Sequence, residues 1–262
     1  GYDAAKSMRV LPNVLNLAAA GGFDLARASD MVTDASSALQ LTEEETTAMI
    51  DQMAAAASKS NTSIEQLGDA MLTVGGTARN LKGGTAELST VLGILADNGM
   101  KGSEGGTHLR NMINSLTKPT GDAKEMLDEM GVSLYDDTGA IRSLNDVFLD
   151  LKKSMAGMSD QARGETIATI FNARDMKAAE ALLGGVGDRF NSLMQSMAES
   201  AGSAEEMRKK QENTLKGQVT IMNSAIEGLK INIGRGITPT LKEMAEFGAD
   251  AFLFRSIVSS AR

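Results

Sequence analysis

His108 is the only histidine in this 262-residue chain, so it is the first residue to consider as a catalytic or metal-binding group. It follows Gly105, Gly106 and Thr107 at the predicted start of a helix. A zinc site needs several Cys or His ligands, and the chain has no cysteine. No Gly-x-Ser-x-Gly motif supplies a serine nucleophile that His108 could activate. We therefore interpret His108 as a surface or helix-capping residue.

A glycine-rich stretch at residues 99–107 leads into that helix, and such a loop can hold a phosphate on the N–H groups of a helix N-terminus. It lacks the Gly-Lys-Ser/Thr ending of a P-loop, and no strand is predicted before it. Glu104 would also repel a phosphate. We interpret the stretch as a tight connection between two helices, in which glycines at the start of the second helix allow close packing.

Three charged clusters have simpler explanations than catalysis or metal binding. Residues 136–139, Asp-Asp-Thr-Gly, lack the alternating acidic positions of a calcium loop and are typical of a turn. Glutamates at residues 43–45 form an acidic first helical turn, which complements the helix dipole. The basic run at residues 208–210 is flanked by glutamates that neutralise it. The sequence therefore predicts no cofactor, no metal site and no catalytic residue.

Composition limits the remaining classes of function. The net charge of -8 disfavours direct binding to nucleic acid. Residues 1–10 lack the apolar segment of a signal peptide, and the longest uncharged stretch, residues 10–23, is too short and too polar to span a membrane. The chain begins without Met and its helical pattern runs close to both ends, so we expect a longer parent protein.

The pattern of the chain is helical almost throughout, because apolar residues recur at the i, i+3, i+4, i+7 spacing of amphipathic helices. Two such sets are Leu88, Val91, Leu92, Leu95 and Leu109, Met112, Ile113, Leu116. Capping-box pairs predict helix starts at Thr42 with Glu45, Ser63 with Gln66, and Ser203 with Glu206. Glycines fall where the apolar stripes end. We predict an all-α fold, a multi-helix bundle of about ten amphipathic helices.

Residues 132–142 are the exception to this helical pattern. Residues 132–135 and 140–142 alternate in polarity on either side of the turn at 136–139. This spacing predicts one small β-hairpin near 132–142. Two strands alone are only marginally stable, so we expect the hairpin to pack against neighbouring helices.

The C-terminal part changes character, and we divide the chain into a multi-helix region at residues 1–202 and a heptad-patterned helix with its tail at residues 203–262. Six apolar residues are spaced 4, 3, 4, 3, 4 and form a possible self-association seam: Leu215, Val219, Met222, Ile226, Leu229 and Ile233. They predict a long C-terminal helix over 203–233, about 45 Å long at 1.5 Å per residue. This helix either folds back on its own bundle or pairs with copies of itself, and the sequence leaves both open.

Several segments, in this order, resemble the core region of phage tail tape measure proteins. They include residues 12–22, 51–78 and 88–116, and the resemblance extends over about residues 8–245. The best-matching segment has a Gly-x-x-Gly-Ser loop followed by Gly-Thr and Leu-Arg. Its family-motif residues in this chain are Gly99, Gly102, Ser103, Gly106, Thr107 and Arg110. Gly105 departs from the pattern, since the family more often has Ala at that position.

The resemblance implies a structural phage or prophage tail protein that scaffolds tail tube assembly and sets tail length. It implies the tail tube protein, tail assembly chaperones and baseplate proteins as partners, and association as a homo-oligomer. It also implies synthesis in the bacterial host cytoplasm and a final place in the lumen of the virion tail. The alternative function is a cell-wall-degrading or membrane-perforating module of a tail or toxin protein.

The helical pattern also bears on how such a protein could set a length. As one continuous helix the whole chain would span about 390 Å. Its many glycine breaks argue against a single rod of that length. We therefore expect this chain to fold compactly, with most of the length-setting rod outside it.

Overall fold

The computed structural model describes residues 4–213, with side chains from residue 9 onward. Twelve α-helices make up this part of the chain: α1 (Ala4–Gly21), α2 (Leu25–Leu39), α3 (Glu43–Lys59), α4 (Ile64–Val74), α5 (Gly84–Asp97), α6 (Gly102–Thr117), α7 (Asp122–Met130), α8 (Leu144–Ser154), α9 (Asp160–Phe171), α10 (Met176–Gly185), α11 (Asp188–Ala198) and α12 (Ser203–Glu212). Two short 3-10 helices span Gly75–Ala78 and Ala173–Asp175. The all-α class is confirmed, with twelve helices in the described part rather than about ten.

Local capping signals determine where several helices begin. At α3, Thr42 Oγ1 accepts the backbone N–H of Glu45 at 3.2 Å, and the Glu45 carboxylate accepts that of Thr42 at 2.8 Å. Ser63 and Gln66 make the same reciprocal pair at the start of α4. Both capping boxes satisfy helix N–H groups that would otherwise lack partners. These two predicted helix starts are confirmed.

The centre of the core is α5, which packs against α3, α4, α6, α10 and α11. Its ten consecutive residues Glu87–Ala96 are all buried. A helix surrounded on all sides favours apolar residues all round, as in the unbroken apolar run from Val91 to Ala96; the buried polar residues Glu87, Ser89 and Thr90 precede this run. The chain before α5 and the chain after α6 therefore share one hydrophobic core.

The helices after α6 close the core from the other side. Phe148 of α8 stacks on Phe171 of α9, with the ring centroids 5.5 Å apart and the planes 8° from parallel. Both side chains are 1% exposed, so this pair joins α8 to α9 inside the core.

At the end of α7, Gly131 adopts a left-handed conformation and the N–H of Val132 bonds to the carbonyl of Leu127. Helix α7 therefore ends at the glycine, as the position of Gly131 after the apolar stripe predicts.

The predicted β-hairpin at 132–142 is not supported. The segment turns back on itself, but it makes one isolated antiparallel bridge, between Tyr135 and Ile141, and the described residues contain no strand. The Asp136 side chain accepts the N–H groups of Thr138 and Ala140, so side-chain bonds organise the turn. Helix α8 then begins at Leu144, which leaves no room for a longer ladder.

The predicted long C-terminal helix is also not supported. Helix α12 begins at Ser203, where the helix was predicted to begin, and is described to Glu212. The Asp51 carboxylate of α3 accepts the N–H groups of Gly202 and Ala204 at 2.8 and 3.1 Å. The predicted continuation to residue 233 lies outside the described residues.

Residues 4–211 form one compact unit, and a second unit begins at residue 212, so that nearly all of it lies outside the described residues. The predicted division of the chain into residues 1–202 and 203–262 stays a prediction. Within residues 4–213, no helix has the length and apolar character needed to cross a membrane.

Candidate functional site: the glycine loop and the α4–α6 crossing

The family-motif residues lie in the turn between α5 and α6 and on the first half of α6. Gly99 has φ +87, in the left-handed region that glycine adopts without strain. This turn directs Met100 inward, where its side chain is 1% exposed and its N–H bonds to the carbonyl of Leu95 at 3.0 Å. Gly102, with φ +56, then begins α6. The loop is thus a tight reversal anchored by a buried methionine.

Gly106 lies where α6 crosses α4. A Cβ atom added to Gly106 would lie 2.4 Å from the carbonyl oxygen of Ala70 and 2.8 Å from Cβ of Thr73. The first of these neighbours is backbone, which cannot rotate away as a side chain can. The two helices therefore approach more closely than any residue with a side chain at position 106 permits.

Gly105 packs against its own loop rather than against α4. A Cβ atom at this position would lie 2.7 Å from the carbonyl oxygen of Met100. This is the position where the family more often has Ala. The turn in this chain is therefore fitted to glycine, and an alanine here requires the Met100 carbonyl to move.

Two basic side chains, Arg110 and Lys101, form hydrogen bonds between the motif segment and the two ends of α4. Arg110 donates from Nη1 to the carbonyl of Thr73 at 3.1 Å, in the last turn of α4, where carbonyls lack helical partners. Lys101 Nζ donates to Oδ1 of Asn61 at 2.9 Å, just before α4 begins. Two of the segments that carried the resemblance, 51–78 and 88–116, are therefore in direct contact at both ends of α4.

The remaining motif residues are more accessible. Ser103 is exposed on the first turn of α6, and Thr107 is half-buried one turn later. Neither lies in an arrangement that indicates catalysis. The identification of these six residues as a family motif stays a prediction. Four of them have a structural role in this chain: Gly99 and Gly102 form the turn, and Gly106 and Arg110 lie at the helix crossing.

His108 is neither a surface residue nor a simple cap, which corrects the interpretation from sequence. Its side chain is 18% exposed, and Nδ1 lies 2.6 Å from Oδ1 of Asp175, whose side chain is 2% exposed. Asn111 donates to the same carboxylate at 3.2 and 3.3 Å. We call these three residues the Asp175 clasp. It joins α6 to the turn before α10.

Sequence reasoning missed Asp175 because it is 67 positions from His108. One signal was available. An acidic residue interrupts the helical apolar pattern between Phe171 and Ala178, and a buried carboxylate needs donors. The other ring nitrogen of His108, Nε2, lies 4.0 Å from the exposed carboxylate of Glu104. The imidazole thus lies between two carboxylates rather than beside a nucleophile.

A second buried carboxylate, Glu87 of α5, was not predicted. It is 1% exposed and accepts the N–H of Gly83 at 2.8 Å, the N–H of Leu144 at 2.6 Å and the hydroxyl of Ser143 at 3.0 Å. The two N–H groups belong to the starts of α5 and α8, whose dipoles favour a negative charge. Glu87 therefore joins two helix N-termini inside the core.

The other charged clusters behave as the sequence indicated. The Thr138 hydroxyl and the N–H groups of Ala140 and Thr138 hold the pKa of Asp136 below its ordinary value, and all of these bonds lie within the turn. Lys209 pairs with Glu205 at 2.7 Å and lowers the pKa of that carboxyl. Among residues 4–213, no three His, Asp or Glu side chains are grouped so as to hold a metal ion. The heptad seam from Leu215 to Ile233 lies outside the described residues.

These observations define a class: an all-α unit with a central buried helix, α5, and a glycine-mediated crossing of α4 and α6. The chain belongs to the phage-related minor tail protein family, whose model matches residues 1–172. The matched region contains α1 to α9 and therefore the whole α4–α6 crossing. The resemblance found in the sequence is confirmed.

Two curated relatives are described more specifically. The chain is 28% identical over 244 residues to the tape measure protein of Pneumococcus phage Dp-1. It is 25% identical over 234 residues to the probable tape measure protein of Escherichia phage P2. These alignments cover 93% and 87% of this chain but only 21% and 28% of the two relatives. No solved structure matches the chain.

Proposed function

We propose that this chain is a folded structural segment of a tail tape measure protein, which scaffolds assembly of the tail tube and sets tail length. The observation that carries the proposal is the extent of the likeness. Both tape measure relatives align with nearly the whole chain, through helix after helix rather than through one short motif. A likeness of this extent supports a common structural task.

The partners and location follow from the same proposal. We propose that the parent protein meets the tail tube protein, the tail assembly chaperones and baseplate proteins, and that it lies in the tail lumen after synthesis in the host cytoplasm. Self-association is proposed for the seam from Leu215 to Ile233, because its 4, 3 spacing is the pattern by which helices pair.

We also propose that this segment has no enzymatic activity. The side chain best suited to acid–base chemistry, His108, is held by the buried carboxylate of Asp175. Its second nitrogen faces Glu104 rather than a hydroxyl. A wall-degrading module would need a Glu in a buried cleft or a Cys/His pair, and the chain has no cysteine.

Disruption of the gene in a phage or inducible prophage tests the function. The expected result is particles without tails, or with tails of irregular length, in electron micrographs. Mass spectrometry of purified wild-type particles should also detect peptides from residues 4–213. Normal tails after disruption would contradict the proposal. Clearing of a peptidoglycan gel by the purified chain would instead favour the enzymatic alternative.

A second experiment asks whether this segment is itself a ruler. As one continuous helix, the roughly 210 described residues would add about 315 Å to a tail. In-frame duplication of residues 4–213 should lengthen tails by much less, because the segment is compact. A shift close to that rod length would show that the segment is extended inside the tail.

A further inference from the structure

The junction between α9 and α10 contains Asn172, one of two non-glycine residues with positive φ in the described part of the chain. Asn172 has φ +66 and ψ +155, at the edge of a region that essentially only glycine occupies. The other non-glycine residue with positive φ, Gln40, has ψ +46 and so lies in the ordinary left-handed conformation of a helix end.

The local sequence does not require a break at this position. Residues 165–183 contain neither glycine nor proline. Continued helical spacing would place Ile167 and Phe171 of α9 on the same face as Ala178 and Leu182 of α10. Apart from Asp175, the apolar stripe of α9 thus continues into that of α10, as it would along a single helix.

Tertiary contacts hold the junction in its strained form. On one side, Phe171 is fixed by its stacking on Phe148. On the other side, Asp175 is buried and held by His108 Nδ1 at 2.6 Å and by the Asn111 amide. The N–H of Asp175 bonds to the carbonyl of Asn172 at 3.1 Å. The Asp175 clasp is therefore connected to the strained residue by a backbone hydrogen bond.

We propose that the α9–α10 junction is a conformational switch: the Asp175 clasp and the core impose the break, and residues 160–185 form one continuous helix when those contacts are lost. Straightening relieves the strain at Asn172 and returns the Asp175 carboxylate to water. It also withdraws Leu182 and Leu183 from the core, so the bent form is favoured while the core is intact. The straight helix would be about 39 Å long.

The strain is tested by equilibrium unfolding of the full chain. Asn172→Gly should lower the unfolding constant about threefold or more, because glycine adopts this backbone conformation without strain. Ala173→Gly is the matched control, since Ala173 is exposed and its φ is not positive, and it should raise the constant about threefold. If Asn172→Gly also raises the unfolding constant, the junction is not strained and the proposal fails.

The straightening is tested by spin labels on Gln161→Cys and Glu180→Cys, two exposed positions in a chain without native cysteine. Trifluoroethanol removes tertiary packing and keeps helices. A continuous helix would then separate the two labelled backbone positions by about 28 Å. The expected result is a narrow distance distribution near that value in the alcohol.

Asn172→Pro in the same labelled chain is the control, because proline prevents a continuous helix at this point. Its distribution in the alcohol should be broader and displaced from that of the labelled parent. If the two distributions coincide, the break is encoded locally and the proposal is overturned. Either failure leaves the family membership and the proposed function unaffected.

Discussion

Replacement of Gly106 by alanine is the sharpest perturbation of the α4–α6 crossing. The new Cβ atom would lie 2.4 Å from the Ala70 carbonyl oxygen, 2.8 Å from Thr73 Cβ and 3.0 Å from Ala70 Cα. Ordinary contact between such atoms begins near 3.4 Å. The helices must therefore separate by about 1 Å, a gap that forfeits a quarter to a half of the dispersion energy of the atoms concerned.

Two opposing terms decide the size of the effect. Overpacking of this kind destabilises proteins by about 1–3 kcal/mol. Alanine in place of glycine inside a helix stabilises by about 1 kcal/mol. We expect Gly106→Ala to be less stable than the parent by about 1–2 kcal/mol, because the atoms that must move are backbone.

Gly164→Ala in α9 is the matched control. The Cβ atom added there meets only the end of the Met176 side chain, at 3.9 Å, so the helix-propensity gain is expected without a clash. Urea unfolding followed by circular dichroism should separate the midpoints of the two variants by about 1 M. If Gly106→Ala is stabilised to the same degree as Gly164→Ala, α4 and α6 do not pack as closely as the 2.4 Å approach to the Ala70 carbonyl oxygen requires.

Three further outcomes are expected. Glu87→Ala should lower the free energy of unfolding by about 3 kcal/mol, because it leaves the N–H groups of Gly83 and Leu144 buried without an acceptor. The control is Glu125→Ala at an exposed position, which should change the free energy of unfolding little. Equal effects of the two substitutions would contradict the role of Glu87. The hydrogen bond from Arg142 holds the pKa of Asp150 below its ordinary value, so this carboxylate stabilises the fold above about pH 4, and the advantage disappears as the pH falls through the lowered pKa. Asp150→Asn should therefore cost about 0.5 kcal/mol at pH 7 and nothing in strong acid, and a cost that persists in acid would contradict this assignment. Small-angle scattering from residues 1–213 should give a radius of gyration near 17 Å, as for a globule of this length, and a particle about 315 Å long would contradict the compact fold.

Features that depend on neighbouring residues were predictable from the sequence. The capping boxes at Thr42 and Ser63 and the helix end at Gly131 each involve residues within four or five positions of one another. The glycine loop at 99–102 was recognisable as a connection for the same reason. The small β-hairpin is not supported beyond one bridge, because the segments on either side of the turn are three or four residues long and lie between the end of α7 and the start of α8.

Features that depend on distant residues were not predictable. Glu87 and Leu144 are 57 positions apart, and His108 and Asp175 are 67 apart. A buried carboxylate appears in the sequence as one more acidic residue in a helix, because nothing local shows that its face will be covered. The close approach at Gly106 was foreseen in kind, but its partner, Ala70, follows only from the packing of α4 on α6.

The compactness of this unit affects how a length-setting protein could use its sequence. A continuous helix converts each residue into 1.5 Å of length, whereas a globule of about 210 residues is about 45 Å across. A folded segment therefore uses many residues for little length. The proportion between residue number and tail length can then hold only for the extended parts of such a protein. Under the proposed function, substitutions that destabilise the fold, such as Gly106→Ala, should therefore alter assembly before they alter tail length, because a folded segment contributes little to that length.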